Sequence, residues 1–317
     1  MQKETPYDVV IVGGGPAGLN AALILGRARK RVFLFDSGPA RNAAATEIHN
    51  FVTRDGVAPA EFRRIAREQL LPYASVAIED ARVDAVTREG ALFVAQVGAR
   101  EIPARRLLLC VGMIDVMPEL PGFRELWGES ILQCPYCHAW EVKDRAFGVL
   151  ATSPMMLEFA FVLTSWTRDI VVFTGGAVAV PDDVRARLVR ARIRLDERPI
   201  RALQERSGHL EAVEMSDGER VTRDVLFARP QQVQVPLVQS LNLALDEMGY
   251  VKAESFSQQT SVPGIFAAGD LTTMMQTAIT AAAAGTMAGA RMNHELTVEA
   301  LNREAESGTL SAEPKSP

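Results

Sequence analysis

The sequence is poor in cysteine and histidine, has no excess of positive charge and contains no long apolar run. Three cysteines among 317 residues argue against a structural disulfide framework. Lys and Arg number 34 against 39 Asp and Glu, a net charge of −5, so nothing points to a nucleic-acid partner, which would want a basic stripe. No uninterrupted apolar stretch reaches the roughly 18 residues that span a bilayer, so no membrane segment is expected. The opening MQKETPYDVVIVGGG lacks the basic region, apolar core and small-residue cleavage site of an export signal, and a cytoplasmic protein is expected. What the chain does have is a normal soluble balance of 48% hydrophobic residues and a length that usually needs two cores.

The most specific stretch is YDVVIVGGGPAGLNAALILGRARKRVFLFDSG. DVVIV reads as a buried parallel strand. Gly13-x-Gly15-x-x-Gly18 follows, then an amphipathic run, then the strand RVFLF ending in Asp36, 18 residues after Gly18. Strand, glycines, helix, strand and acid stand in the order of a dinucleotide-binding βαβ unit. Gly13 makes the tight turn, Gly15 lets the backbone approach a pyrophosphate and Gly18 allows close helix–strand packing. The helix N-terminus faces the negative charge. Asp36 can accept hydrogen bonds from a ribose diol, and its charge disfavours a 2′-phosphate, which leaves FAD or NAD. Near the other end, SVPGIFAAGDLTTMMQTAITAAAAGTMAGARM gives a short strand, Gly269-Asp270 and a small-residue helix, a pattern that suits a ribityl chain and ring system. The same helix reads equally as an Ala-rich core element.

Residues 116–244 read as a unit of their own. RAFGVLA (145–151), PMMLEFAFVLTSW and RDIVVFTGG predict strand, helix and strand, a second nucleotide fold. Its turn is Ala151-Thr152-Ser153-Pro154, where β-carbons obstruct a pyrophosphate, and its second strand ends in Thr174-Gly175-Gly176 with neither an acid nor an arginine pair. A weakened or lost NAD(P) site is inferred. The Met155–Met156 pair is expected to pack beneath that turn. RARLVRARIRLDER (185–198) predicts a solvated helix running into a strand. LQERSGHLEAVEMSDGERVTRDVLFARP predicts a small antiparallel excursion turning at SG and DG, with His209 solvated in a turn.

CPYCHAWE (134–141) admits three readings. C-x-x-C-H is literally the c-type haem signature, but attachment normally occurs outside the cytoplasm. Zinc wants four ligands, and only Cys110, at the end of the apolar run RLLLCVG, and a few histidines remain. A redox dithiol needs less. Pro135 suits a helical first turn, which would set Cys134 and Cys137 on one face near a helix N-terminus. His138 can take the proton released in thiol exchange. Trp140 is expected in the core or a dimer contact, and His49 reads equally as a loop cap.

With GGGPAG, the mid-chain CPYC and the late AAGD in this order, the sequence resembles low-molecular-weight thioredoxin reductases over about residues 6–296. The resemblance implies an α/β fold of two Rossmann-like three-layer nucleotide-binding domains, the second inserted in the first. The FAD domain would be 1–115 with 245–317 (297–317 a probable tail), and 116–244 an NAD(P)-binding-like domain carrying the CxxC. It implies a homodimer, and FAD held by Gly13, Gly15, Pro16, Ala17 and Gly18. Asp36, Ser37, Arg41, Asn42, His49, Asn50, Gly112, Gly269, Asp270, Thr277 and Ala278 join them by the same resemblance.

Three departures set the chain apart. His138 replaces the usual acid after the second cysteine, ATSP replaces a glycine-rich turn, and TGG replaces phosphate-gripping arginines. The CPYCH form looks more like the FAD-dependent dithiol oxidases of the gliotoxin, holomycin and romidepsin types, which close disulfides in natural products. That likeness implies a catalytic set of Cys134, Cys137 and His138. A small-molecule dithiol would be oxidised by exchange, with electrons passing through Cys137 to the flavin and then to O₂ or NADP⁺. Run from NAD(P)H, the same parts make a reductase of a thioredoxin-like protein. A third reading is a non-catalytic flavin redox sensor.

Overall fold

The computed structural model describes residues 5–307; GTLSAEPKSP, expected to fray, lies outside the described residues. The described residues form two compact units. One comprises those up to Arg41, Ala60–Ile114 and those from Val233 onward; the other comprises Asn42–Pro59 and Asp115–Gln232.

The first unit opens with β1 (Tyr7–Val12), α1 (Pro16–Arg27) and β2 (Val32–Phe35), the βαβ unit expected from the glycine pattern. A 3₁₀ turn at Arg41–Ala44 follows, then α2 (Pro59–Leu70), β3 (Val76–Glu79), β4 (Ala85–Glu89), β5 (Leu92–Val97) and β6 (Arg100–Leu109). Strands β3, β2, β1 and β6 lie parallel in that order, and β5 and β4 continue the sheet antiparallel. The Val9–Val12 run of β1 is apolar because both its faces are covered, whereas the half-buried Asp8 at its start pairs with Arg105. Val9 and Ile11 pack toward α1 with Leu25, while Val10 and Val12 pack on the opposite side with Phe93, Ala95 and Leu107.

From β7 (Ile114–Val116), which starts at the boundary, the second unit runs through α3 (Phe123–Leu126), β8 (Ile131–Leu132), the one-turn α4 (Pro135–His138), β9 (Phe147–Leu150), α5 (Pro154–Val162), β10 (Ile170–Phe173) and α6 (Asp182–Arg190). It continues with β11 (Arg194–Asp196), β12 (Ile200–Arg206), β13 (His209–Met215), β14 (Arg220–Thr222), β15 (Val225–Phe227) and β16 (Gln231–Val233). β11, β10, β9, β15 and β8 make a parallel sheet, and β12–β14 the expected antiparallel excursion. Phe147, Val149 and Val172 face α5 and α6 through Leu157, Ala160 and Leu188. Val171, Phe173 and Leu226 face the antiparallel sheet through Leu203, Val213 and Met215. The layers are thus helix, sheet, sheet. The turn residues Ser207, Gly208 and Gly218 all take positive φ. His209 is exposed, as expected, but is the first residue of β13 rather than part of the turn.

The chain then returns to the first unit with α7 (Pro236–Ser240), β17 (Ile265–Ala267) and α8 (Ala278–Glu306). β17 pairs parallel with residues 107–109 of β6. Three expectations are corrected here. The junction lies at 232–233 rather than 244–245, because Leu237, Val238 and Leu243 are buried with Val10 and Leu107. Residues 42–59 fall in the second unit and not the first. Residues 297–306 continue α8 instead of forming a tail, anchored by Glu295 and Glu299 to Arg105 and Arg106. The small residues of α8 serve its contact with α1. A β-carbon on Gly285 would overlap the Ala17 carbonyl, and one on Gly289 would lie 3.2 Å from the Ala21 carbonyl oxygen. Asn20 crosses the same contact, donating to the Ala282 carbonyl at 3.1 Å and to the Thr286 hydroxyl. Among the described residues no helix is long and apolar enough to cross a membrane.

Candidate active site

In the first unit the glycines divide by what surrounds them. Gly13 has φ +109, and a β-carbon there would overlap the Cys110 carbonyl. One on Gly18 would overlap the Gly13 carbonyl. Gly15 differs: it is the N-cap of α1 with φ −79 and ψ −176, no side chain caps it, and nothing lies within 4 Å of where its β-carbon would be. Pro16 follows at the first helical position. The α1 N-terminus therefore presents uncapped backbone N–H groups to open space, which is what a dinucleotide pyrophosphate requires. Gly112 (φ +66) opens on space in the same way, whereas Gly269 (φ +91) is close enough to Ala17 that its β-carbon would lie 3.2 Å from that of Ala17. These residues fit a dinucleotide such as FAD.

Asp36 follows β2 and is 7% exposed. Its carboxylate is ion-paired with Arg63, and Arg67 stands at 3.6 Å. Two guanidinium groups remove the basis for excluding a 2′-phosphate by the charge of Asp36. Beyond β17, Asp270 lies 3.4 Å from Arg41, and Arg41 donates to Gln276 at 2.9 Å. Thr277 is the N-cap of α8 in a reciprocal capping box with Thr280, and Ala278 is the first helical residue. Ser37 is exposed, while Ala17 is buried against α8. Cys110 is buried, and burial pushes its thiol far above the ordinary range.

In the second unit Cys134 and Cys137 form a disulfide with Cα atoms 5.3 Å apart. Cys134 is the N-cap of α4, Pro135 takes the first helical position as expected, and the Cys137 N–H donates to the Cys134 carbonyl at 3.3 Å. Both nitrogens of His138 are shut off from solvent and make no hydrogen bond. Burial, with the neighbouring His49 adding to it and Glu141 partly opposing, holds His138 below its ordinary value, so the ring is neutral near pH 7. His49 itself lies 3.3 Å from Glu47, 3.4 Å from Asp55 and 3.6 Å from Glu141. Asn50 donates to the Tyr136 carbonyl at 2.6 Å. His49 and Asn50, like Asn42, thus belong to the unit that carries the disulfide. Trp140 is 65% exposed, not core: Ala139 is the buried residue, and the Lys143 ammonium sits 3.8 Å from the Trp140 ring centre. Tyr136 is 60% exposed and meets Trp166 edge-on.

The second βαβ turn keeps the architecture without the cradle. Ala151 is fully buried, Ser153 is the N-cap of α5 and Pro154 opens that helix. Met156 packs in the core while Met155 is exposed, so only one of the pair lies beneath the turn. Arg185, Arg187 and Arg198 are held by Glu197, by Glu158, and by Asp196, Asp217 and Glu219.

A family model described as pyridine nucleotide-disulphide oxidoreductase matches residues 7–285. The chain belongs to this family. The thioredoxin reductase tcpT of Claviceps purpurea is 34% identical over 309 residues, covering 93% of this chain and 96% of that protein. The crystal structure of HlmI matches with a TM-score of 0.91 at 33% identity and 98% coverage of both chains. The oxidoreductase from Agrobacterium tumefaciens matches with a TM-score of 0.87 at 34% identity, covering 93% of this chain and 99% of that one. The chain is therefore a thioredoxin reductase-like enzyme of a flavoprotein family.

In this pyridine nucleotide-disulphide oxidoreductase, sequence reasoning missed Arg63, Arg67 and Asp55. The two arginines stand four apart on one face of α2; Arg63 pairs with Asp36, while Arg67 is held by Asp80 and lies 3.6 Å from Asp36, partners the sequence spacing alone does not name. Asp55 had no such spacing signal, because its role depends on a loop closed by the Ile48–Val57 bridge.

Proposed function

We propose that this oxidoreductase oxidises a small-molecule dithiol to its disulfide by exchange with Cys134–Cys137, with FAD as cofactor and O₂ as final acceptor. The observation that carries the reading is a disulfide on the half-buried α4 turn, followed directly by His138, whose buried ring nitrogens make no hydrogen bond. FAD, when bound, supplies a two-electron sink for the reduced pair. Gly13, Gly15, Pro16, Ala17, Gly18 and Asp36 would hold its diphosphate and ribose. Ser37, Arg41, Gly112, Gly269, Asp270, Thr277 and Ala278, all of the first unit, complete the proposed set.

The exchange balances on the chain's own atoms. A substrate thiolate bonds to Cys134 Sγ, the Cys134–Cys137 bond breaks, and Cys137 leaves as thiolate. The second substrate thiol gives its proton to His138 and attacks the substrate sulfur of the mixed disulfide, and Cys134 leaves as thiolate. The substrate is oxidised and the protein dithiol reduced. Because both His138 nitrogens are closed off in the disulfide state, proton transfer needs the substrate to enter or the ring to turn. Tyr136, between the two cysteines, offers exposed aromatic surface, which suits a small apolar dithiol. A homodimer and a cytoplasmic location complete the proposal.

The relatives' printed names favour a second reading, an NAD(P)H-dependent thioredoxin reductase. The non-glycine turn and the carboxylate-held arginines of the second unit weigh against it. Oxygen uptake decides between them. The oxidase consumes O₂ and forms H₂O₂ with a small dithiol and no pyridine nucleotide. The reductase requires NADPH and a thioredoxin.

A further inference from the structure

Asn50 sits in a loop whose geometry is built toward the redox turn. Its backbone is left-handed at φ +65, a conformation asparagine tolerates better than most residues. Its N–H donates to Asp55 Oδ1 at 2.9 Å, and His49 Nδ1 lies 3.4 Å from the other oxygen of that carboxylate. The Ile48–Val57 bridge closes the loop behind them. So held, the Asn50 side-chain amide donates to the Tyr136 carbonyl at 2.6 Å and stands 4.0 Å from Cys137 Sγ. An amide nitrogen carries two hydrogens, so a donor remains for the sulfur after Tyr136 is satisfied.

We propose that Asn50 is the hydrogen-bond donor that stabilises Cys137 as a thiolate when the disulfide opens, and so directs substrate attack to Cys134. The inference rests on the redox reading of the CxxC but not on the direction of electron flow. When a substrate thiolate bonds to Cys134 Sγ, the electron pair of the broken bond stays on Cys137 Sγ. A hydrogen bond to a charged sulfur is stronger than one to a neutral sulfur, and the better-stabilised thiolate is the better leaving group. The charged and titratable groups around the turn are His49, His138, Glu47, Asp55 and Glu141. Their sum sets the baseline against which the amide acts.

The test uses the flavin-loaded full chain, reduced anaerobically with dithiothreitol and alkylated with iodoacetamide across a pH series, with sites mapped by mass spectrometry. Asn50→Gly keeps the left-handed backbone and removes the amide. Asn50→Asp keeps the shape and replaces a donor with a negative charge. The midpoint of Cys137 alkylation should rise by about one pH unit in Asn50→Gly and further in Asn50→Asp. Wild-type midpoints in both variants, with unchanged melting curves and flavin content, would overturn the proposal alone. If the wild-type pair cannot be cycled between disulfide and dithiol, the redox reading falls and takes the proposal with it. Should Asn50→Asp not fold, Asn50→Gly decides.

Discussion

Gly15→Ala separates the cofactor cradle from the fold. The backbone of Gly15, at φ −79 and ψ −176, is open to any residue, and its β-carbon position has no neighbour within 4 Å. Alanine there gains about 0.4–1 kcal/mol by restricting the unfolded chain. It loses a similar amount, about 0.5–1 kcal/mol, as a poorer N-cap than glycine. The net change should lie within about 1 kcal/mol of zero, a shift in melting temperature of no more than about 4 °C for a chain of this size. The added methyl does, however, occupy the space over the α1 N-terminus that the proposed function gives to the FAD diphosphate. Gly18→Ala is the control, because its β-carbon would overlap the Gly13 carbonyl and force the turn apart. Overpacking of that kind costs about 1–3 kcal/mol. Differential scanning calorimetry of the flavin-stripped proteins, with FAD affinity measured by fluorescence quenching, reads both quantities. Gly15→Ala should melt like wild type and bind FAD at least ten-fold more weakly. Wild-type FAD affinity in a well-folded Gly15→Ala protein would refute the assignment of this turn to the diphosphate.

Four further outcomes are expected. Cys137→Ser should abolish turnover and, when incubated with the cyclic disulfide product, open it by attack of the Cys134 thiolate and retain it as a mixed disulfide with one free substrate thiol, seen as a substrate-sized mass increase; sustained turnover would remove the exchange mechanism. His138 is held neutral by burial, so its depressed value contributes stability that is complete above about pH 6.5 and lost as pH falls below it. His138→Gln should therefore show a smaller drop in melting temperature between pH 7 and pH 5 than wild type, and an unchanged drop would contradict the buried neutral ring. Cys110 should resist iodoacetamide in the folded protein at pH 8 and react only on unfolding, as its burial and raised value require. Gly285→Ala should destabilise by about 1–3 kcal/mol through overlap with the Ala17 carbonyl, measured by urea unfolding, with little effect expected if α1 and α8 can slide apart.

Much of the fold was legible because its signals are local. The DVVIV strand, the three spaced glycines and Asp36 all act within one βαβ unit, and the CPYC turn needs only proline's preference for a first helical position. The failures are long-range. Nothing near Leu237 and Leu243 says that they bury with Val10, so the junction was placed twelve residues late. Nothing in HNF says that Asn50 meets Tyr136, 86 positions away. Trp140 was expected in the core or a dimer contact; it is not in the core, because the neighbouring Ala139 takes the buried position and the Lys143 ammonium sits over the ring. The small residues of α8 admitted two readings, and the close approach to Ala17 and Ala21 shows that helix packing accounts for the glycines.

The account rests on a flavin that takes electrons from the Cys134–Cys137 dithiol. Anaerobic stopped-flow absorbance of the FAD-loaded protein tests this most directly, with a small dithiol in one syringe and NADPH in a parallel run. The account predicts that the dithiol bleaches the flavin band rapidly and NADPH does so slowly or not at all. Rapid bleaching by NADPH with none by the dithiol, or a protein that takes up no FAD, would contradict it.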